Sequence, residues 1–251
     1  MLAVPPYIKK VDNMIIGLLT GRGGNKSQSL PYKNSKKILG TPLMLYPYLA
    51  AKKSKLIDDI YISTDGPELK KIANKNSIKI IHRPKKFSKS NSQHIECINH
   101  ALDTFKKKNI KVEIIVILMC NVAIQPNKSI DKCIKALKED SKLDSAVTCR
   151  EWGDHHPSRA KTISKEGFLK PIIKKIDVTT TRQGLDQTYY LDHQVWAFRV
   201  RNMKLSNNGQ KPWYWMGKRI KPIFNKELVI DIHTKEDLEY SKQWLKVNHT
   251  Y

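Results

Sequence analysis

The sequence has no apolar run long enough to cross a bilayer; its longest, Ile114 to Cys120, falls well short of the ~20 residues that a spanning helix needs. The opening MLAVPPYIKK breaks at two prolines before a signal-like apolar region forms. A soluble, cytoplasmic chain with no membrane partner is expected. Cysteine is scarce as well. Cys97, Cys120, Cys133 and Cys149 show no paired metal-ligand spacing, and thiols in apolar or helical surroundings act as small core hydrophobes. Acidic residues are the third shortage, 23 against 46 lysines and arginines, for a formal charge of +23. Such an excess ordinarily points to nucleic acid. Here the lysines are spread along the chain and dense only at Lys106–Lys108 and Lys85–Lys86, without interleaved aromatics or a nucleic-acid motif. Solvated faces account for them, and no nucleic-acid partner is expected.

What remains is a chain of 251 residues, enough for one α/β domain (1–251) with a full core. Its most informative stretch is Met14 to Asn34, MIIGLLTGRGGNKSQSLPYKN. Ile15 to Leu19 reads as a strand buried on both faces, and Gly21, Gly23 and Gly24 allow a sharp turn whose N–H groups are free to approach a ligand. Phosphate suits such a loop, with Arg22, Lys26 and Lys33 supplying countercharge. The glycine spacing satisfies neither the dinucleotide fingerprint nor the P-loop, so a surface turn with solvated lysines stands as the alternative on this stretch alone.

Residues 1–13 read as a polar lead-in. Helical spacing follows Pro42, with Leu43, Tyr46, Leu49 and Ala50 inward and Pro47 tolerated near the first turn. Strands are expected at Ile60–Ser63, Ile78–His82, Glu113–Met119 and Ser145–Arg150. Helices are expected after Thr64-Asp65-Gly66, where Asp65 would cap, at about Ser92–Phe105, and at Ser129–Lys138. Repeated strand–helix units argue for a parallel, doubly wound sheet with ligands at the strand C-terminal ends. From Glu151 the pattern loosens. Adjacent His155 and His156 cannot face one metal from a regular element, and the Trp213–Trp215 cluster suits packing or a subunit interface.

LLTGRGGNKSQSLPYKNSKKILGTP, Leu18 to Pro42, resembles the signature of the acylneuraminate (CMP-sialic acid synthetase-like) cytidylyltransferases, ARGGSKGxPxKNxxxxxGxP, with Lys26 and Lys33 two residues further apart than usual. Further matches follow in family order. IYISTDGPELKKIA resembles VVVSTDxxEIxxxA, and Arg83-Pro84 the family's RP, although Ser88, Ser90 and Ser92 stand where an aspartate is usual. LMCNVAIQ replaces LQPTSPLR, which puts Met119 at the glutamine and leaves Asn121 as the polar side chain of that turn. YYLDHQVWAFR resembles YxxNGAIYxFR, with Asp192-His193 in place of Asn-Gly, and LVIDIHTKEDL resembles SVDIDTxxDL.

The resemblance implies a nucleotidyltransferase-type, Rossmann-like mixed sheet with helices on both faces and a small dimerisation arm at about 151–190, in a homodimer. It implies transfer of CMP from CTP to a nonulosonic 2-keto sugar acid, with Arg22, Lys26 and Lys33 on phosphate charge. Nucleotide contacts would come from Gly21, Gly23, Gly24, Asn34, Arg83 and Asn121, and sugar contacts from Arg159, Lys161 and Asp192. Magnesium would sit at Asp231, and at His233 where the family has a second aspartate. An imidazole ligand there would favour Mn²⁺ over Mg²⁺, with a His233 turned away from the metal as the alternative. A Kdo-type cytidylyltransferase and a catalytically silent nucleotide-binding relative are the competing readings.

Overall fold

Strand β1 (Met14–Thr20) is the middle of the structure because its apolar residues alternate between two cores. It pairs in parallel with β4 (Asp59–Thr64) on one side and β6 (Val112–Met119) on the other. β5 (Lys79–His82) extends the sheet beyond β4, while β2 (Lys37–Ile38) and β3 (Thr41–Pro42) pair with each other apart from it. On the far side of β6 comes β10 (Tyr189–Arg199), antiparallel to both β6 and β7 (Ser145–Glu151), and β11 (Ile220–Phe224) closes that edge parallel to β7. The order is β11-β7-β10-β6-β1-β4-β5, seven strands with one reversed. The computed structural model describes residues 13–24, 30–126, 128–151, 156–173, 179, 181–205 and 209–248.

Helices α1 (Leu45–Lys53), α2 (Pro67–Lys75) and α4 (Ser129–Glu139) cover one face, packing Tyr48, Leu69, Ala73, Ile130, Cys133 and Ile134 against Ile15, Leu19, Val116 and Leu118. Helix α3 (His94–Lys107) covers the other, packing Ile98, Ala101 and Phe105 against Ile16, Leu18, Ile115, Ile117, Trp196 and Phe198. The expected mixed sheet with helices on both faces is therefore formed. The reversed β10 has no precursor in a purely parallel reading, because a strand's direction is not written in its own residues. All four cysteines are buried and free, in the core role expected of them. Among the described residues no helix is long and apolar enough to cross a membrane.

One local expectation shifts and a second narrows. Leu43 and Tyr46 are buried, but Leu49 and Ala50 are only partly so, while Tyr48 and Ala51 face the core. The helix starts at Leu45 with Pro47 in its first turn, which rotates the inward stripe by about one position. Trp215 is buried and Trp213 packs on Trp196 with ring centroids 5.3 Å apart, so the aromatic cluster is largely packing.

The arm region contributes a hairpin, β8 (Lys161–Ile163) with β9 (Leu169–Pro171). Ile163, Phe168 and Leu169 on it are 69%, 72% and 74% exposed, an apolar surface that the described chain leaves uncovered. Trp152 and His155 lie outside the described residues, and His156 caps a short 3-10 turn by accepting from the Ser158 N–H.

Arg199, the arginine that ends β10, ties the reversed strand to its neighbours. Its guanidinium donates to Glu113 at 2.7 Å and to the carbonyls of Leu137 and Leu143, which satisfies the C-terminal end of α4. Arg199→Met should leave those acceptors without a donor and lower stability by about 3 kcal/mol, read as a shift in the denaturant midpoint at constant slope.

Candidate functional site

The switch from β1 rightward to β4 and leftward to β6 opens a crevice above the strand ends, where ligands bind in open α/β sheets. A cavity of about 310 Å³ lies there. It is lined by Thr20, Gly21, Arg22, Gly23 and Gly24 after β1, by Lys33 and Asn34, by Arg83 after β5, and by Met119 and Asn121 after β6, with His94 and His233 closing it. A second cavity, about 180 Å³ between α1 and α4, holds none of these residues. Its buried glutamines bond inward, Gln125 to the Val122 carbonyl and Gln194 to Gln125, so it offers a ligand little.

The glycine loop departs from expectation. Gly21 donates its N–H to the Ser63 carbonyl at 3.3 Å, Gly23 to Asp65 Oδ1 at 3.1 Å and Gly24 to Glu68 Oε1 at 2.6 Å. These N–H groups are thus held by the β4–α2 turn rather than left open for phosphate. Asp65, expected as a helix cap, accepts the Gly23 N–H on Oδ1, and the N-cap position of α2 is Gly66.

Cationic groups remain at the cavity. Arg22 is exposed and donates to the Lys89 carbonyl at 2.9 Å, spanning the mouth. Lys33 donates to the Ile232 carbonyl at 2.9 Å and lies 3.4 Å from His233 Nδ1. Burial pulls the Lys33 pKa below its usual value, opposed by Asp231 and reinforced by Arg22. Arg83 is buried and bonds Ser63 through both Nε and NH2, so its charge is fixed beside the cavity. Lys26 lies outside the described residues. Asn34 is buried, with Nδ2 on the Arg22 carbonyl at 2.9 Å and Oδ1 satisfied by no described residue.

Asp231 stands next to Lys33 and between two imidazoles, its Oδ2 3.6 Å from His233 Nε2 and 3.9 Å from His193 Nδ1. Its Oδ1 is buried without a hydrogen-bond partner among the described residues. Asp231 does not itself line the cavity, but a buried carboxylate oxygen without such a partner, close enough to Lys33 to act on its charge, fits a hard divalent ion, which needs few protein oxygens. The two ring nitrogens of His233 are turned to charged neighbours, Nδ1 to the Lys33 ammonium and Nε2 to the Asp231 carboxylate. Asp231 is therefore the better ligand of the pair. Among the described residues no group of three histidine, cysteine or carboxylate side chains is set to hold a metal alone.

The residues expected on sugar lie elsewhere. Asp192 is buried and accepts from Thr148 Oγ1, from the Gln194 N–H at 3.1 Å and from Asn225 Nδ2 at 2.6 Å. Those three donors saturate it, and it does not line the cavity. Its neighbour His193, at φ 61°, turns to the opposite face, where it packs on Trp196 and Trp213. Arg159 sits in a 3-10 turn and Lys161 on the exposed hairpin, neither of them lining the cavity. Sequence reading also missed His94, whose Nε2 meets Thr20 Oγ1 at 3.1 Å in the cavity wall. No periodic signal marks it, since its partner is 74 residues away.

With this geometry in place, comparison with known proteins is informative. Residues 22–250 match the cytidylyltransferase family. The pseudaminic acid cytidylyltransferase of Campylobacter jejuni subsp. jejuni serotype O:23/36 (strain 81-176) is 27% identical over 242 residues, spanning 92% of this chain and 96% of its own. The N-acylneuraminate cytidylyltransferase of Oncorhynchus mykiss is 32% identical over 101 residues, 40% of this chain and 22% of that one. In fold, the chain is similar to a CMP:2-keto-3-deoxy-manno-octonic acid synthetase solved with CTP, at a TM-score of 0.67 and 14% identity over 94% of this chain and all of that one.

His94 generates a pH prediction. Burial, with Arg83 and His193 adding to it, lowers its pKa from 6.5 to about 4. The unfolded chain therefore binds a proton in an interval where the folded chain does not, and stability falls as pH drops from 6.5 toward 4. His94 is half-buried, so the slope should stay below the ~1.4 kcal/mol per pH unit that a whole proton's difference would give. His94→Gln should flatten that acid limb in urea titrations run at successive pH values, and an unchanged limb would remove His94 as its source.

Proposed function

The chain belongs to the cytidylyltransferase family and is a nucleotidyltransferase, and on that premise we propose that it transfers CMP from CTP to the anomeric hydroxyl of a nonulosonic, sialic-acid-like 2-keto sugar acid. The observation that carries this reading is the convergence of Arg22, Lys33 and Arg83 on one cavity at the β1 strand end, with Asp231 beside Lys33. The acceptor oxygen attacks the α-phosphorus in line, the bond to the β-phosphate oxygen breaks, and pyrophosphate leaves. Arg22 and Lys33 meet the charge that grows on the leaving group, and Asn34 holds the Arg22 carbonyl and hence the base of that side chain. Asp231 would hold Mg²⁺, which when bound supplies further positive charge to the triphosphate, and Mn²⁺ would serve in its place. The names of the pseudaminic acid and N-acylneuraminate relatives support a nonulosonic acceptor; the Kdo-type alternative is supported by a likeness of fold and by a relative of lower identity, 23% over 159 residues. A silent nucleotide-binding relative is the second reading, favoured by Met119 and His233 in place of the usual polar and acidic residues.

The exposed apolar hairpin β8–β9 supports a homodimer in which this arm packs on the second copy. Phe168→Lys should then shift the sedimentation coefficient to that of a monomer.

Mixing the protein with CTP, Mg²⁺ and a panel of nonulosonic acids should release pyrophosphate only when nucleotide and acid are both present. Lys33→Ala should cut turnover about 100-fold or more. It should melt close to the parent, because the folding cost of a half-buried ammonium held below its usual pKa offsets the bond it makes to the Ile232 carbonyl. CTP binding without pyrophosphate release from any acid would decide for the silent relative.

A further inference from the structure

Two carboxylates stand where an anion-binding site should least tolerate them. Asp65 and Glu68 lie at the start of α2, beside the loop that carries Arg22, and both accept a backbone N–H from it, Gly23 and Gly24 respectively. Both stand at the N-terminus of α2, whose N-cap position is Gly66. Like charge next to a triphosphate lowers affinity, so their presence calls for a compensating role.

The packing indicates that role. A Cβ built on Gly23 would stand 2.1 Å from Gly66 Cα, and one built on Gly66 would stand 2.5 Å from Gly23 Cα. The two backbones touch, and neither position has room for a side chain. Thr64 Oγ1 accepts from the Gly66 N–H at 3.1 Å and closes the turn on which the loop is seated. The far ends of the loop are held too, by Asn34 on the Arg22 carbonyl and by the Tyr32 N–H on the Gly24 carbonyl at 3.0 Å. A carboxylate that merely occupied an anion site until nucleotide arrived would need no such fitted joint.

We propose that Asp65 and Glu68 are positioning residues for nucleotide binding, clamping the Gly23–Gly24 backbone so that Arg22 and Lys33 face the triphosphate before it arrives. They act through the loop and touch neither phosphate nor metal. What they contribute is the acceptor oxygen; their charge is a cost. Without the clamp the loop samples other conformations, and apparent affinity falls by the fraction of time that it spends away from the competent one. The proposal rests on the nucleotidyl-transfer reading for its binding assay, whereas loop clamping is measurable without any ligand.

The test compares Glu68→Ala with Glu68→Gln, and Asp65→Ala with Asp65→Asn, because the amides keep the acceptor and lose the charge. Affinity for CTP is measured by calorimetry, KM and kcat by pyrophosphate release, and protection of the Gly23 and Gly24 amides by hydrogen exchange in the absence of nucleotide. Glu68→Ala should weaken CTP binding about tenfold or more, as expected for one lost charge-assisted bond. The loss should appear in KM more than in kcat, with amide protection lost. Glu68→Gln should bind as well as the parent or better, with protection retained, and the Asp65 pair should behave alike. Tighter binding by Glu68→Ala would overturn the proposal in favour of a displaceable plug. Failure of Gln to rescue would show that the charge itself is needed, and unchanged affinity with a lowered melting temperature would leave only a role in folding. If the parent bound no CTP, the proposed function would fall, while the exchange data would still decide whether the carboxylates clamp the loop.

Discussion

The cavity depends on one peptide group, that of Ile232. Its N–H donates to the Asn121 carbonyl at 2.9 Å, and its carbonyl accepts from Lys33 Nζ at 2.9 Å. Three segments remote in sequence are joined at that point: the loop after β1, the end of β6, and the approach to the last helix, α5 (Lys235–Asn248). The Ile232 side chain is fully buried with Leu30, Ile38, Leu43 and Leu245, so the peptide cannot drift. With Ile232 anchored inward, its neighbours are free to face the site, which is how Asp231 and His233 come to stand beside Lys33. The Asp237 carboxylate accepts from the N–H groups of His233 and Thr234, both at 2.8 Å, and fixes the turn from the other side.

The same region shows how a basic chain handles a site for anions. Two of the three cations are partly or wholly withdrawn from water: Lys33 is half-buried and Arg83 is buried on Ser63, while Arg22 stays exposed and bridges the mouth. Burying positive charge costs free energy in the empty protein and returns it when an anion enters a site already arranged and partly desolvated. The nearby carboxylates are spent on backbone N–H groups and on a partnered turn, while Asp231 retains an unsatisfied oxygen. The surplus of lysine elsewhere plays no part in this. At Lys79, for example, the ammonium meets Asp59 on an exposed edge, where an ion pair contributes little.

Much of the fold was legible because its signals are local. β1 and β6 are apolar runs whose alternate residues face two cores, and α4 buries Ile130, Cys133, Ile134 and Leu137 at helical spacing. Their boundaries fall within one residue or so of those the pattern indicates. The loop residues Arg22, Lys33, Asn34 and Arg83 were legible from motif order, and the structure gathers all four at one cavity. Asp192, expected on the sugar, stands off the cavity because motif position says nothing about which face of a bulged strand a side chain takes. The register break between Leu191 and Trp196 sends Asp192 to Thr148 and Asn225 and turns His193 toward the tryptophans. Glu68 sat within a matched motif, yet its partner, the Gly24 N–H, is 44 residues away.

The sequence by itself determined the class of sheet, the burial of the cysteines and the identity of the cationic loop, since periodicity, thiol chemistry and residue type are carried by each segment alone. Only the tertiary structure decided the direction of β10, the seating of Gly23 on Gly66, the placement of His94 in the cavity wall and the approach of Asp231 to Lys33. Each of those is a contact between segments that a chain makes only once its core has closed, so its energy belongs to no single stretch of residues.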